Sequence, residues 1–385
     1  MATRKPSKSK PAAVRSKPAG VKRINLALQG GGSHGAFTWG VIDQLLADGR
    51  IDIEGISGTS AGSMNAVVYA YGYFSGGPDG ARAALERFWK AVSVSADRYS
   101  PLHAAPWERL TKSRSDDNAF AFEAFKIITN AFSPYQLNPL NFNPLLNILN
   151  EQIDFKALNT CRRTKLFLSA TNVHTGKVRV FNTHEVTAQS VMASACLPQL
   201  FQAVEIDGEP YWDGGYMGNP ALFPLFYETE ARDVLIVHIN PIERQGTPTT
   251  PAEIYNRVNE ISFNSSLIKE FRAIAFVQKM HDEGWLKPEF RDKMKYVLIH
   301  SLRADKVLAD LSIASKFSSD WDFLLELRER GRTAAADWLK RHFNDLGVRA
   351  TVDLRAEFLT SGSELANAQP DTASVRTSTK RAKRS

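Results

Sequence analysis

At 385 residues, 43% of them hydrophobic, the chain is long enough for one large domain or two smaller ones and can bury a sizeable core. The net charge of +7 sits at the two ends: residues 1–23 carry Arg4, Lys5, Lys8, Lys10, Arg15, Lys17, Lys22 and Arg23 without an acid, and the last ten residues add Arg376, Lys380, Arg381, Lys383 and Arg384. Without those thirteen charges the balance of residues 24–375 falls to −6, which excludes a basic nucleic-acid groove on the folded part.

The ends are rich in Lys, Ser, Pro and Ala, bury little apolar surface and read as disordered. They serve either solubility or contact with an anionic membrane, where each basic residue gains about 1 kcal/mol. Residues 1–23 hold no apolar signal-peptide core, and no window approaches 18 apolar residues in a row. The expectation is a cytoplasmic protein without a signal peptide or transmembrane helix, touching membranes peripherally through its tails. Cys161 and Cys196 lack metal-type spacing and read as buried free thiols.

In chain order, Ile24–Gln29 (INLALQ) is a short apolar run ending at glycines, as a buried strand does. Residues 36–48 have helical spacing, with Gly49 as a stop. A second strand, Asp52–Ser57, runs into GTSAG and a further helix over 63–74, and residues 81–91 read as another helix. Strand, glycine turn, helix, strand, tight turn, helix is the rhythm of a parallel α/β sheet. From 95 to 145 aromatic residues, among them Phe120, Phe122 and Phe125, alternate with prolines, so the segment is either a lid or cleft wall or a helical hairpin on the sheet. Strands resume at 165–171, 178–181, 203–206, 234–240 and 296–301, and helical patterns cover 252–280 and 319–344.

Three stretches carry chemistry. Gly58-Thr59-Ser60-Ala61-Gly62 (GTSAG) fits a nucleophile elbow, with a strand before and a helix after, although a serine helix cap gives the same letters. Gly58 and Gly62 leave room for the turn, and the Ala61 amide opens the helix. Gly30, Gly32 and Gly35 also satisfy the dinucleotide fingerprint G-x-G-x-x-G. That fold needs an acid at the end of the second strand, whereas here Asp52 and Glu54 stand at its start and the serine elbow occupies its end. Glycines 30–32 suit an oxyanion loop instead: residues without Cβ let several N–H groups converge beside a helix N-terminus. If the first two strands are parallel neighbours, those amides face Ser60. Asp213-Gly214-Gly215 is ordinary turn punctuation until a serine nucleophile needs a base.

Taken together, the chain resembles the patatin-like phospholipases and lipid acyl hydrolases. The resemblance rests on Gly30-Gly31-Gly32-Ser33-His34-Gly35, the GTSAG elbow, Ala193-Ser194-Ala195-Cys196-Leu197-Pro198 and Asp213-Gly214-Gly215. It implies a three-layer α/β/α fold with a mainly parallel sheet. It implies a Ser60–Asp213 dyad, an oxyanion hole from Gly30, Gly31, Gly32 and Ala61, and no metal or organic cofactor. Ser60 would attack a lipid ester and Asp213 would move its proton, with residues 193–198 supporting the cleft. The family usually has Asp before the glycines and Arg before the last one, where this chain has Gln29 and His34. His34 also stands as a second candidate base, close to Ser60 in the loop.

The expected division is a basic tail over 1–23, a catalytic domain over 24–240, a mostly helical extension over 241–360 packed on the core, and a second tail over 361–385. The expected function is a serine acyl hydrolase for lipid esters, with Phe125 and Phe271 walling an acyl pocket. A dinucleotide-binding protein and a catalytically silent lipid-binding scaffold are the alternatives.

Overall fold

The computed structural model describes residues 20–99 and 132–359, apart from 245, 292, 306, 309, 310 and 312. Residues 1–19 and 360–385 of the two tails, and Phe120, Phe122 and Phe125, lie outside the described residues.

Among the described residues eight strands make one sheet: β1 (Lys22–Leu28), β2 (Ile51–Gly58), β3 (Lys165–Asn172), β4 (Val178–Asn182), β5 (Val204–Ile206), β6 (Glu209–Asp213), β7 (Asp233–His238) and β8 (Leu298–Arg303). They bond in the order β5-β6-β3-β2-β1-β7-β8, with β4 also on β3. The run β3-β2-β1-β7-β8 is parallel, and β4, β5 and β6 pair antiparallel. The long helices are α1 (Gly35–Asp48), α2 (Ala61–Tyr99, broken at Gly76 and Gly77), α3 (Pro144–Gln152), α4 (Ala188–Ser194), α5 (Pro251–Asp282) and α6 (Trp321–His342).

Alternation along the central strands assigns the layers. Leu26, Leu28, Leu235 and Val237 point into one core with α1, α2 and α6, while Ala27, Val234 and Ile236 point into a second with Leu267 and Phe271 of α5. The sheet is therefore covered on both faces, the three-layer α/β/α arrangement. α1 ends where its sequence says it should, since Gly49 takes the left-handed conformation at φ 74° and its N–H bonds Leu45 O. α1 and α6 lie backbone to backbone: a Cβ on Gly40 would strike the Arg328 carbonyl, and one on Gly331 the Phe37 carbonyl. Asp43, buried between the two, takes Arg82 and Arg332 as ion-pair partners.

Lys22 and Arg23, counted with the basic tail, are the first two residues of β1. β6 is absent from the sequence reading because EPYWD is short and holds a proline. Its turn, Asp207-Gly208 with φ 52° and 80°, is a hairpin signal that the sequence did carry. Residues after 240 contribute α5, α6 and the sheet strand β8. Cys161 and Cys196 are both free and buried. Among the described residues no helix is long and apolar enough to cross a membrane.

Candidate active site

Ser60 follows β2 at a sharp turn into α2, and its φ of 54° is in the left-handed region that a non-glycine residue rarely adopts. The surroundings hold it there. Its amide donates to Ser194 O at 3.1 Å and Ser194 Oγ at 3.0 Å, and Ser63 Oγ lies 2.8 Å from Ser194 Oγ. Gly62 and Gly58 let the turn close: a Cβ on Gly62 would meet the Leu28 carbonyl, and one on Gly58 would come within 2.8 Å of Gly62.

Asp213 reaches Ser60 through the sheet itself. β4 lies along β3 from Phe167 to Thr171, overlapping the residues that pair with β2 and those that pair with β6. A strand has two edges, so β2 and β6 must share the other edge of β3, end to end. β2 finishes with Gly58 opposite Leu168, and the antiparallel β6 finishes with Asp213 opposite Ala170, two residues further along. Their C-terminal ends meet, which sets the Ser60 hydroxyl beside the Asp213 carboxylate, where it helps hold the carboxyl's pKa down. Asp213 also accepts from Gly215 N at 2.7 Å, while its own amide donates to Cys196 O at 2.7 Å. Residues 193–198 thus grip both halves, Ser60 through Ser194 and Asp213 through Cys196. Gly214 has to be glycine, because a Cβ there would strike Ser169 O.

The Asp213 carboxyl is buried, and burial pushes its pKa from 3.8 up to about 7 against the pull of the Gly215 and Ser60 hydrogen bonds. A carboxylate poised there can take a proton near neutral pH.

Leu28 pairs with Gly58, so the turns after β1 and β2 leave the sheet side by side. A Cβ on Gly30 would come within 2.7 Å of Ser60 Cβ, one on Gly31 within 2.8 Å of Ile239, one on Gly35 within 2.6 Å of Ala61, and one on Gly32, at φ 59°, would strike the Lys316 carbonyl. Gly30 is further committed, since its N–H donates to Asn219 Oδ1 at 2.8 Å and its carbonyl accepts from Asn240 at 2.6 Å.

Gln29 ties this loop to its neighbours from a fully buried position. Its Oε1 accepts from the amides of Ile239 and Asn240, both at 3.0 Å, and its Nε2 donates to Asn219 O and Asn264 Oδ1. An aspartate would match the accepting half alone. Gln29→Leu, close in size, is expected to lower the denaturant midpoint by an equivalent of roughly 3 kcal/mol or more, because it orphans several buried polar groups at once.

His34 turns away from Ser60. Its Nε2 lies 2.7 Å from Ser315 Oγ, its Nδ1 has no partner, and burial together with Lys316 lowers its pKa to about 3. It is neutral and stands outside the cavity wall.

That cavity, of about 430 Å³, opens over Ser60, Ala61, Gly30, Gly31, Gly32 and Asp213. One wall is apolar, with Met64, Phe88, Trp89 and Val92 from α2 and Leu145 from α3. The other carries Tyr255, Asn256, Asn259 and Glu260 from α5, with Asn240 and Lys316. α2 and α5 belong to opposite layers, so the cavity spans the C-terminal edge of the sheet, where open α/β sheets bind ligands. The first turns of α5 do wall it. Phe271 does not: it lies fully buried in the second core against Phe358. Phe125 is outside the described residues. Ser194 lies in the 193–198 stretch expected to support the cleft, whereas sequence reasoning missed Asn219 and Asn240 as holders of the site, although Asn240 stands just past a strand end, where such residues gather. Lys316, in an irregular segment, carried no signal.

Comparison with curated proteins finds no match to this chain. Among solved structures, VipD from Legionella pneumophila aligns at 15% identity with a TM-score of 0.38, over 90% of this chain and 74% of that one. ExoU of the Pseudomonas aeruginosa type III secretion system, in complex with SpcU, aligns at 15% identity with a TM-score of 0.29, over 83% of this chain and 53% of the other. A second structure of that complex gives 16% identity, a TM-score of 0.27, and 85% and 60% coverage. The family model described as patatin-like phospholipase matches residues 26–226, which hold both Ser60 and Asp213, and more than half of the sequence. The chain belongs to the patatin-like phospholipase family.

Proposed function

We propose that this chain hydrolyses carboxylic ester bonds of lipids through Ser60 and Asp213. The observation that carries the reading is a serine on a strained elbow beside a buried carboxylate whose pKa burial lifts to about 7, both lining one partly apolar cavity. Ser60 Oγ attacks the carbonyl carbon while Asp213 takes the hydroxyl proton. The carbonyl oxygen, now an anion, is met by the amides of Gly31, Gly32 and Ala61, since the Gly30 amide is already given to Asn219. Collapse breaks the ester bond, and the departing alkoxide takes the proton from Asp213. Water then attacks the acyl-enzyme, Asp213 accepts its proton and passes it to Ser60, and the fatty acid leaves.

Fluorophosphonate labelling tests this, because only an activated serine reacts covalently. Labelling is expected on the wild-type protein and absent from Ser60→Ala, together with release of fatty acid from a phospholipid or a p-nitrophenyl ester. Equal labelling of Ser60→Ala overturns the assignment. A silent lipid-binding scaffold would label in neither form.

A further inference from the structure

We infer that Lys316 recognises an acidic phosphate group on the substrate attacked by Ser60, an assignment that rests on the hydrolase reading. Lys316 belongs to the short turn Ile313–Phe317, whose backbone closes on the glycine loop at Gly32 and whose Ser315 meets His34. Its side chain lines the same cavity as Ser60. Among the described residues its ammonium makes one hydrogen bond, to the neutral Asn240 Oδ1 at 3.2 Å.

The carboxylate in that wall, Glu260, is engaged elsewhere. Arg244 lies 2.7 Å from it, Arg257 3.2 Å, and Asn256 donates to it at 3.1 Å. Glu260 is thus shared by Arg244 and Arg257, and among the described residues Lys316 has no ion-pair partner. Lys316 is half-buried, with a single amide oxygen as hydrogen-bond partner for its ammonium, and this partial loss of water lowers its pKa. His34 cannot share in holding an anion because it is neutral. An anion in the cavity would complete the pairing. The wall opposite is apolar and suits an acyl chain. A molecule with an ester between a hydrocarbon tail and a phosphate matches both walls and the serine between them.

The test compares the full-length protein with Lys316→Gln and Lys316→Arg on a lysophospholipid and on a monoacylglycerol of the same chain length. The ratio of kcat/KM for the first to that for the second is expected to fall roughly tenfold in Lys316→Gln and to recover in Lys316→Arg, as loss and return of one charge-assisted contact would do. A ratio that stays put, or an equal loss on both substrates, overturns the proposal; the equal loss would place Lys316 with the oxyanion or the loop. Inorganic phosphate as inhibitor separates a headgroup from a free anion: Lys316-dependent inhibition with an unchanged lipid ratio overturns the headgroup assignment. Calorimetric titration of glycerol 3-phosphate judges the site without hydrolysis. Binding to wild type that weakens about tenfold in Lys316→Gln supports it, and no binding to wild type overturns it. A protein that neither labels with fluorophosphonate nor cleaves either ester would sink the hydrolase reading, while the titration still decides for or against a phosphate site at Lys316.

Discussion

Asp213→Asn is expected to lower kcat roughly 10³-fold while leaving a protein that is folded and, at pH 8, more stable than its parent. The amide matches the carboxylate in shape but cannot take the Ser60 proton. In the wild type the base works ionised, so kcat/KM should rise with pH and level off above about 7, the value to which burial lifts the carboxyl. The stability effect has the opposite slope. A carboxyl that titrates at 3.8 unfolded and at about 7 folded binds its proton more tightly in the native state, so stability is lost as pH rises from 3.8 to 7. The melting-temperature advantage of Asp213→Asn should therefore be absent at pH 3.5, grow across that window and stay constant above it. Steady-state kinetics with a p-nitrophenyl ester and thermal melts at four or five pH values check both halves. Wild-type turnover in Asp213→Asn, or a melting difference independent of pH, would remove Asp213 from its role.

Gly331→Leu is expected to prevent folding. The side chain would be driven into the Phe37 carbonyl of α1, and backbone cannot move aside as a rotamer can, so a cost above about 4 kcal/mol follows. The control is Gly76→Ala, where open space surrounds the new methyl and a change within about 1 kcal/mol is expected. Soluble yield and near-ultraviolet circular dichroism distinguish them, and similar behaviour of the two variants would refute the close helix contact. α6 lies outside residues 26–226, yet its backbone touches that of α1. A chain stopped after Asn240 is thus expected to expose the face of α1 that Gly40 and Phe37 present to α6, and to aggregate.

The glycine loop, the elbow and the DGG block were legible because each depends on local backbone geometry that few residue types permit. Ser60 at positive φ and Gly214 against Ser169 are consequences of short-range sterics, which a motif records. Central strands such as β7, buried along its whole length, were legible from their uninterrupted apolar runs. What the sequence concealed is long-range. Lys316 comes to the cavity from 256 residues beyond Ser60, Gln29 finds its partners just past β7, in the 219 turn and on α5, and Phe271 faces a core because of how α5 rotates on the sheet. His34 could be read as a candidate base but not as turned to Ser315, since that turn carries no periodic pattern.

The end-to-end meeting of β2 and β6 on one edge of β3 makes the separation of Ser60 and Asp213 a quantised length. Sliding β6 by one residue would turn the aspartate to the other face of the sheet, and sliding it by two would carry it about 7 Å along the strand. No small drift lies between these outcomes. The β5–β6 hairpin turn at Asp207-Gly208, at the far end of β6, can therefore vary in length without disturbing the pair, whereas a single insertion between Glu209 and Asp213 would shift Asp213 by a full register step.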